Sequence, residues 1–233
     1  MSRLIILYHF IIRMKWSDNK KIIFMILTLI LFFSLIKGIK IKEGLETTNN
    51  TVVLLGDSIF KNNEYVTDRF SIENRLQKKI NTFVYAEDGA FIANIIPQYY
   101  EMPRDLNNNN TYIFVSIGGN NILEEYYYND NPITDYQPLD NLWEEYKKTI
   151  EKLRSLTNCN IVLTDIYYIT DKNYTQLIPL LEKWNENLHK FCKKEKLMVY
   201  KISDIVERPQ DFTNGIEPSI VGGQIIVDNI INY

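Results

Sequence analysis

The sequence predicts a three-layer α/β/α sandwich around a mainly parallel sheet of five strands, and three observations lead to it. Five short apolar runs rich in Val, Ile, Leu, Phe and Tyr lie between residues 51 and 202 and read as strands buried on both faces. Between them apolar residues return at helical spacing. Polar or glycine-containing turns close the runs. Strands that alternate with helices must connect by crossovers, which makes the sheet parallel and covers both of its faces.

The elements follow in order. The strand segments are TVVLLG (51–56), TFVYA (82–86), TYIFVSIG (111–118), NIVLTDI (160–166) and LMVYKI (197–202). Leu142, Tyr146, Ile150 and Leu153 mark one helix; Leu177, Leu180, Leu181, Trp184, Leu188 and Phe191 mark another. The run NNNN (107–110) reads as a solvated loop before the third strand. Pro218 and Ser219 open a last apolar helix that runs to the end of the sequence.

Ahead of this domain the composition changes. Residues 1–42 carry eight Lys or Arg against the single acid Asp18, whereas residues 43–233 carry 18 basic and 28 acidic side chains. IIFMILTLILFFSLI (22–36), uncharged between Lys21 and Lys37, reaches about membrane-spanning length once residues up to 39 are included. It has no polar stripe, and Arg13, Lys15, Lys20 and Lys21 precede it without a small-residue cleavage site following. The expected organisation is a cytoplasmic segment (1–21), a transmembrane signal anchor (22–39), a polar linker (40–50) and one domain (51–233). That domain would lie outside the cytoplasm or in a lumen, on a single-pass membrane protein. Met1 and Met14 are both open as start positions.

In a parallel α/β sheet, ligands sit beyond the C-terminal strand ends, so the residues there are informative. They read Gly56-Asp57-Ser58, Glu87-Asp88-Gly89-Ala90, Gly118-Gly119-Asn120-Asn121 and, after the fifth strand, Thr213-Asn214-Gly215-Ile216-Glu217-Pro218-Ser219. In these blocks and their order the chain resembles the SGNH (GDSL-type) hydrolase family over roughly residues 51–233. The resemblance implies a flavodoxin-like sheet and an esterase that cleaves O-acyl esters of lipids or glycans without a cofactor or metal. It places Ser58 at the nucleophile, and the Ser58 and Gly89 amides with the Asn120 side chain at the oxyanion hole.

The last block departs from the family. Asn214 stands where the family has Asp and Glu217 where it has His, within an otherwise matching frame. A serine hydroxyl needs a neighbouring base, and the family's histidine, with a pKa of about 6.5, suits both proton transfers, whereas a solvated glutamate near 4.3 does not. His9 and His189 are the only histidines; one precedes the apolar segment and the other sits among charged residues on a helix, where it reads as a surface residue. Glu217 is then the only base that the frame brings near Ser58. An Asn214 amide could donate to the Glu217 carboxylate, keeping the loop's shape with the hydrogen bond reversed. The expectation is a membrane-anchored relative with impaired or absent hydrolysis. Open beside it are an active esterase using Ser58 with Glu217, an acyltransferase, a non-catalytic module binding an acylated ligand or partner, and a structural scaffold.

Other chemistry is not indicated. There is no phosphate loop and no Cys/His metal pattern, and a domain this acidic is not expected to bind nucleic acid. Asp57 and Asp88 flank the cleft as turn-capping residues. Tyr126-Tyr127-Tyr128 is expected to overhang the site, lining a pocket or packing on the domain. Cys159 and Cys192 are the only cysteines and fall at the same end of a strand–helix unit, so buried thiols and a disulfide are both open.

Overall fold

The structure is a computed structural model and describes residues 50–129 and 131–233. Five strands form one sheet: β1 (Thr51–Gly56), β2 (Asn81–Val84), β3 (Thr111–Ser116), β4 (Asn160–Thr164) and β5 (Met198–Tyr200). Their spatial order is β2-β1-β3-β4-β5, and every neighbouring pair is parallel. The chain goes to one side of β1 for β2 and to the other for β3, so the strand order reverses there and a crevice opens at the C-terminal ends of β1 and β3.

Among the described residues the α-helices are α1 (Ile72–Gln77), α2 (Ile95–Glu101), α3 (Gly119–Leu123), α4 (Gln137–Leu156), α5 (Ile178–Glu195) and α6 (Ile220–Ile231). Alternate strand residues point to opposite faces and nucleate two cores. Val53, Leu55, Ile113, Val115, Ile161 and Leu163 pack under α2, α4 and α5. Val52, Leu54, Phe114 and Val162 pack under α1 and α6. The apolar residues that set the helical spacing are the ones buried, among them Tyr146, Ile150, Trp184 and Leu188.

The sheet is shorter than the sequence suggests. The segments 82–86, 111–118, 160–166 and 197–202 give strands ending at Val84, Ser116, Thr164 and Tyr200. Past these points the side chains stay in the cores, as Ala86, Ile166 and Ile202 do, while the backbone leaves the regular strand ladder. The proposed anchor (22–39) lies outside the described residues; among those described, no helix is long and apolar enough to cross a membrane. Both cysteines are free: Cys192 is buried, and the Cys159 thiol donates to the Leu106 carbonyl at 3.3 Å.

Candidate active site

Ser58 stands on the turn that follows β1, and the backbone there leaves no alternative to glycine at position 56. Gly56 has φ +131°, and a Cβ on it would lie 1.8 Å from the Ser116 carbonyl oxygen of β3. The buried Gln98 side chain clamps the same residue, accepting from the Gly56 N–H at 2.7 Å and donating to its carbonyl at 2.9 Å. Asp57 then folds the turn, its carboxylate accepting from the Ile59 N–H and the Ser116 hydroxyl. Burial pushes the Asp57 carboxyl up to about 8, so it holds its proton near neutrality.

Glu217 reaches Ser58 from the far end of the sequence. The Ser58 hydroxyl donates to Glu217 Oε1 at 3.0 Å, and both side chains are buried. Burial pushes the Glu217 carboxyl up to about 7; the Ser58 hydrogen bond pulls it partway back, and the Asp88 charge raises it again. Its other oxygen, Oε2, is buried and has no hydrogen-bond partner among the described residues. An unsolvated carboxylate oxygen is a costly group, and that cost appears as basicity.

The loop that presents Glu217 is tied down at many points. The Asn214 side-chain oxygen accepts from the Ile216 and Glu217 N–H groups at 3.1 and 2.8 Å. This corrects the expectation that the Asn214 amide would donate to the Glu217 carboxylate: the side chain folds back on its own backbone, as Asn and Asp do in turns. Gly215, at φ +82°, lies against Asp171, and its carbonyl accepts from the Thr170 and Asp171 N–H groups. Phe212 and Pro218 form a short bridge, and buried Asn62 accepts from the Ile72 N–H and donates to the Pro218 carbonyl. Ser219 caps α6 by accepting from the Val221 and Gly222 N–H groups. A Cβ on Gly222 would meet the Asp211 carbonyl oxygen at 2.1 Å, so Gly222 is there to let helix and loop touch.

The other expected groups converge on the same edge. Gly89 has φ +70°, and neither its N–H nor that of Ser58 donates to a protein acceptor among the described residues. Asn120 uses one amide hydrogen on the Ala90 carbonyl at 2.9 Å, which leaves the second for a ligand and ties the third-strand block to the Gly89 loop. Neighbouring Asn121 is buried and accepts from the Ile92 N–H at 3.0 Å, a second tie between the same loops. Ser58, Asn120 and Glu217 line one small pocket, open to solvent, whose other walls are mainly Ile and Leu side chains.

His189 takes no part in this pocket. Its Nε2 lies 2.9 Å from the fully buried Asp165 carboxylate, which also accepts from the Ser203 N–H and hydroxyl. It is therefore a half-buried partner at the β4–β5 edge and not the free surface residue expected. The three tyrosines do not line the pocket either. They occupy a π-helical turn (Glu124–Tyr128) in which Tyr126 is buried, donating to the Asp135 carbonyl and accepting from the Leu139 N–H. Tyr127 packs on Tyr174, while Tyr128 is exposed. Asp88, on the loop rim, accepts from the Tyr65 hydroxyl at 2.9 Å. Sequence reasoning missed Gln98 and Asn62, because each acts on a loop far away in the chain, and Asp211, whose partners at 207, 208, 219 and 222 form no motif; only the pair Gly222-Gly223 at a helix start was a visible hint of close approach.

Comparison with known proteins bears on the fold and the family. Among curated proteins no relative matches the chain by sequence. Solved structures do match in fold. A lipolytic protein of the G-D-S-L family from Veillonella parvula DSM 2008 superposes with TM-score 0.58 at 16% identity, covering 76% of this chain and 94% of that one. A GDSL-like lipase from Bacteroides thetaiotaomicron gives 0.58 at 14%, covering 77% and 85%. An acetyl xylan esterase from Geobacillus stearothermophilus gives 0.56 at 12%, covering 80% and 94%. The model of the GDSL-like lipase/acylhydrolase family matches residues 52–219, well over half of the sequence and the whole span from β1 to the start of α6, and the chain therefore belongs to that family.

Proposed function

We propose that the chain is a serine esterase acting on O-acyl esters of a lipid or glycan, with Ser58 as nucleophile and Glu217 as the group that takes and returns its proton. The observation that carries this reading is the buried 3.0 Å hydrogen bond from the Ser58 hydroxyl to Glu217. It favours an active enzyme over the impaired one expected from the missing histidine, because a carboxyl held near 7 has the proton affinity that an imidazole would bring.

The steps follow from the groups present. Ser58 Oγ attacks the ester carbonyl carbon while its proton passes to Glu217 Oε1. The carbonyl oxygen, now negative, accepts from the Ser58 and Gly89 N–H groups and the remaining Asn120 amide hydrogen, donors typically worth about 3 kcal/mol each in such sites. Collapse breaks the carbon–oxygen bond to the alcohol, which leaves with the proton from Glu217. A water, deprotonated by Glu217, attacks the acyl-serine and releases the acid. A glutamate base differs electrically from a histidine. No new ion pair is created; one negative charge moves from the carboxylate to the oxyanion, toward preorganised donors. Asp57, holding its own proton, does not oppose that movement at neutral pH. The names of structural neighbours that are acetyl xylan esterases support an acylated sugar as one substrate class.

The test is covalent labelling. An alkyl fluorophosphonate is expected to add one phosphonyl group to the native protein at Ser58 and none to Ser58→Ala, read by intact mass and peptide mapping. An unlabelled native protein under conditions that label a known serine esterase would reject the reading. We further propose that residues 22–39 anchor the domain to a membrane, on the strength of the uncharged run 22–36 and its basic flank. The full chain should stay with membranes through alkaline carbonate washing, and a variant with two Lys placed within 22–36 should be released; release of both would end the anchoring proposal.

A further inference from the structure

Resting on the esterase reading, we infer that this site selects an aliphatic acyl group larger than acetyl, and that the pocket beside Ser58 is where the acyl chain goes. The pocket has both polar and apolar walls. Asp57, Ser58, Asn120 and Glu217 are among its polar lining groups, and Ser58 and Glu217 are hydrogen-bonded to each other, so the ester carbonyl must sit beside them. The remaining wall is mainly aliphatic, with Ile59 from the nucleophile turn, Ile122 and Leu123 from α3, Ile169 from the loop after β4, Leu181 from α5 and Ile216 from the Glu217 loop, and with Tyr167 as its one aromatic side chain. No Lys, Arg or His lines it, so nothing there would balance an anionic acyl substituent.

These walls come from five separate parts of the chain, and Leu181 and Ile122 are themselves buried core residues, 4% and 0% exposed. The aliphatic surface is thus part of the packed interior, brought to the crevice by α3 and α5, and is not a mobile rim. An acetyl group presents one methyl to it and leaves the rest facing water. Each further methylene that enters gains about fourfold in transition-state binding, following the ~0.8 kcal/mol per buried CH₂. Because the chain continues past the carbonyl in ground state and transition state alike, the gain is expected in kcat/KM, with KM falling as the chain lengthens.

The experiment compares p-nitrophenyl acetate with p-nitrophenyl butyrate on the full chain. Two methylenes predict a butyrate kcat/KM about 15-fold higher. Filling the pocket with Leu181→Trp, or with Leu123→Trp at the half-buried end of α3 should the first variant not fold, is expected to bring that ratio close to one. A native ratio at or below one, or a ratio unmoved in a folded filled variant, overturns the inference while leaving the esterase reading intact. A second measurement needs no turnover: the Ser58→Ala protein titrated with butyramide and acetamide, followed by NMR shifts, should bind the butyramide about 15-fold more tightly. Tighter butyramide binding without hydrolysis of either ester sustains the pocket and removes the esterase reading. Equal binding of the two amides removes the pocket inference.

Discussion

Replacing Glu217 by Gln is expected to lower kcat for ester hydrolysis by about 10²–10⁴-fold while making the protein more stable at neutral pH. Gln keeps the volume and can still accept the Ser58 hydroxyl, so the turn around Ser58 should persist, but an amide takes no proton. The native enzyme needs Glu217 ionised, and its carboxyl is held near 7, so kcat/KM should rise with pH through about 7. That limb should vanish from the residual activity of Glu217→Gln. Stability moves the other way. The folded carboxyl is raised above its ordinary value of 4.5, so between about 4.5 and 7 the folded state binds more protons than the unfolded one. The stabilisation from keeping Glu217 protonated is full below 4.5 and is lost as pH climbs through 7. Above that range the native protein bears the whole cost of a buried carboxylate, on the order of 2–3 kcal/mol, which the amide does not. Activity assays and urea unfolding at pH 5 and pH 8 measure both. An enzyme whose activity survives Glu217→Gln would show that another base serves, and equal unfolding at both pH values would show that Glu217 is not buried as described.

Asp211→Ala is expected to cost about 3 kcal/mol of stability and most of the activity, although Asp211 does not line the pocket. Its carboxylate is fully buried and gathers the Glu207 and Arg208 N–H groups together with two bonds from the Arg208 guanidinium. Its carbonyl accepts from the Ser219 N–H and touches Gly222, so the turn that starts the Glu217 loop and the first turn of α6 are braced on one residue. Removing the side chain leaves two backbone N–H donors without their carboxylate, while the half-exposed Arg208 can recover water, which keeps the loss below that of a fully buried pair. Because the Ser58–Glu217 contact depends on a loop 159 residues away from Ser58 in sequence, slack in this brace should appear in kcat more than in KM. Urea midpoints and kinetics of Asp211→Ala and Asp211→Asn separate the two effects, Asn retaining the acceptor for the turn. Unchanged stability in both variants would mean that the brace is idle.

How much of this was legible beforehand follows from the range of each interaction. The strands that carry β1 and β3 could be read because burial on both faces writes a continuous apolar run, and the long helices because their buried residues repeat every three or four positions. Ser58, Gly89, Asn120 and Glu217 could be read as one site because strand order and motif order place each block at the same sheet edge. The strand ends were overextended, since apolar residues continue past Val84 into the cores and past Thr164 into the pocket wall, and periodicity does not distinguish a sheet contact from either.

What the sequence determined by itself is therefore the alternation, the family frame and the absence of a histidine at the position facing Ser58. What only the tertiary structure decided is the chemistry that the replacement glutamate can do. A carboxylate's basicity is not a property of its residue type; it is set by the water it has lost and the charges around it. In the sequence, Glu217 is an acid whose burial is not written, and Asn214 is a candidate donor to it. In the fold, Asn214 turns back onto the backbone, Asp211, Asn62 and Gly222 hold the loop against β1's turn, and Glu217 is left buried beside Ser58 with one oxygen unpartnered. Burial and orientation arise from contacts between residues far apart in the chain, and no local pattern of residues records them.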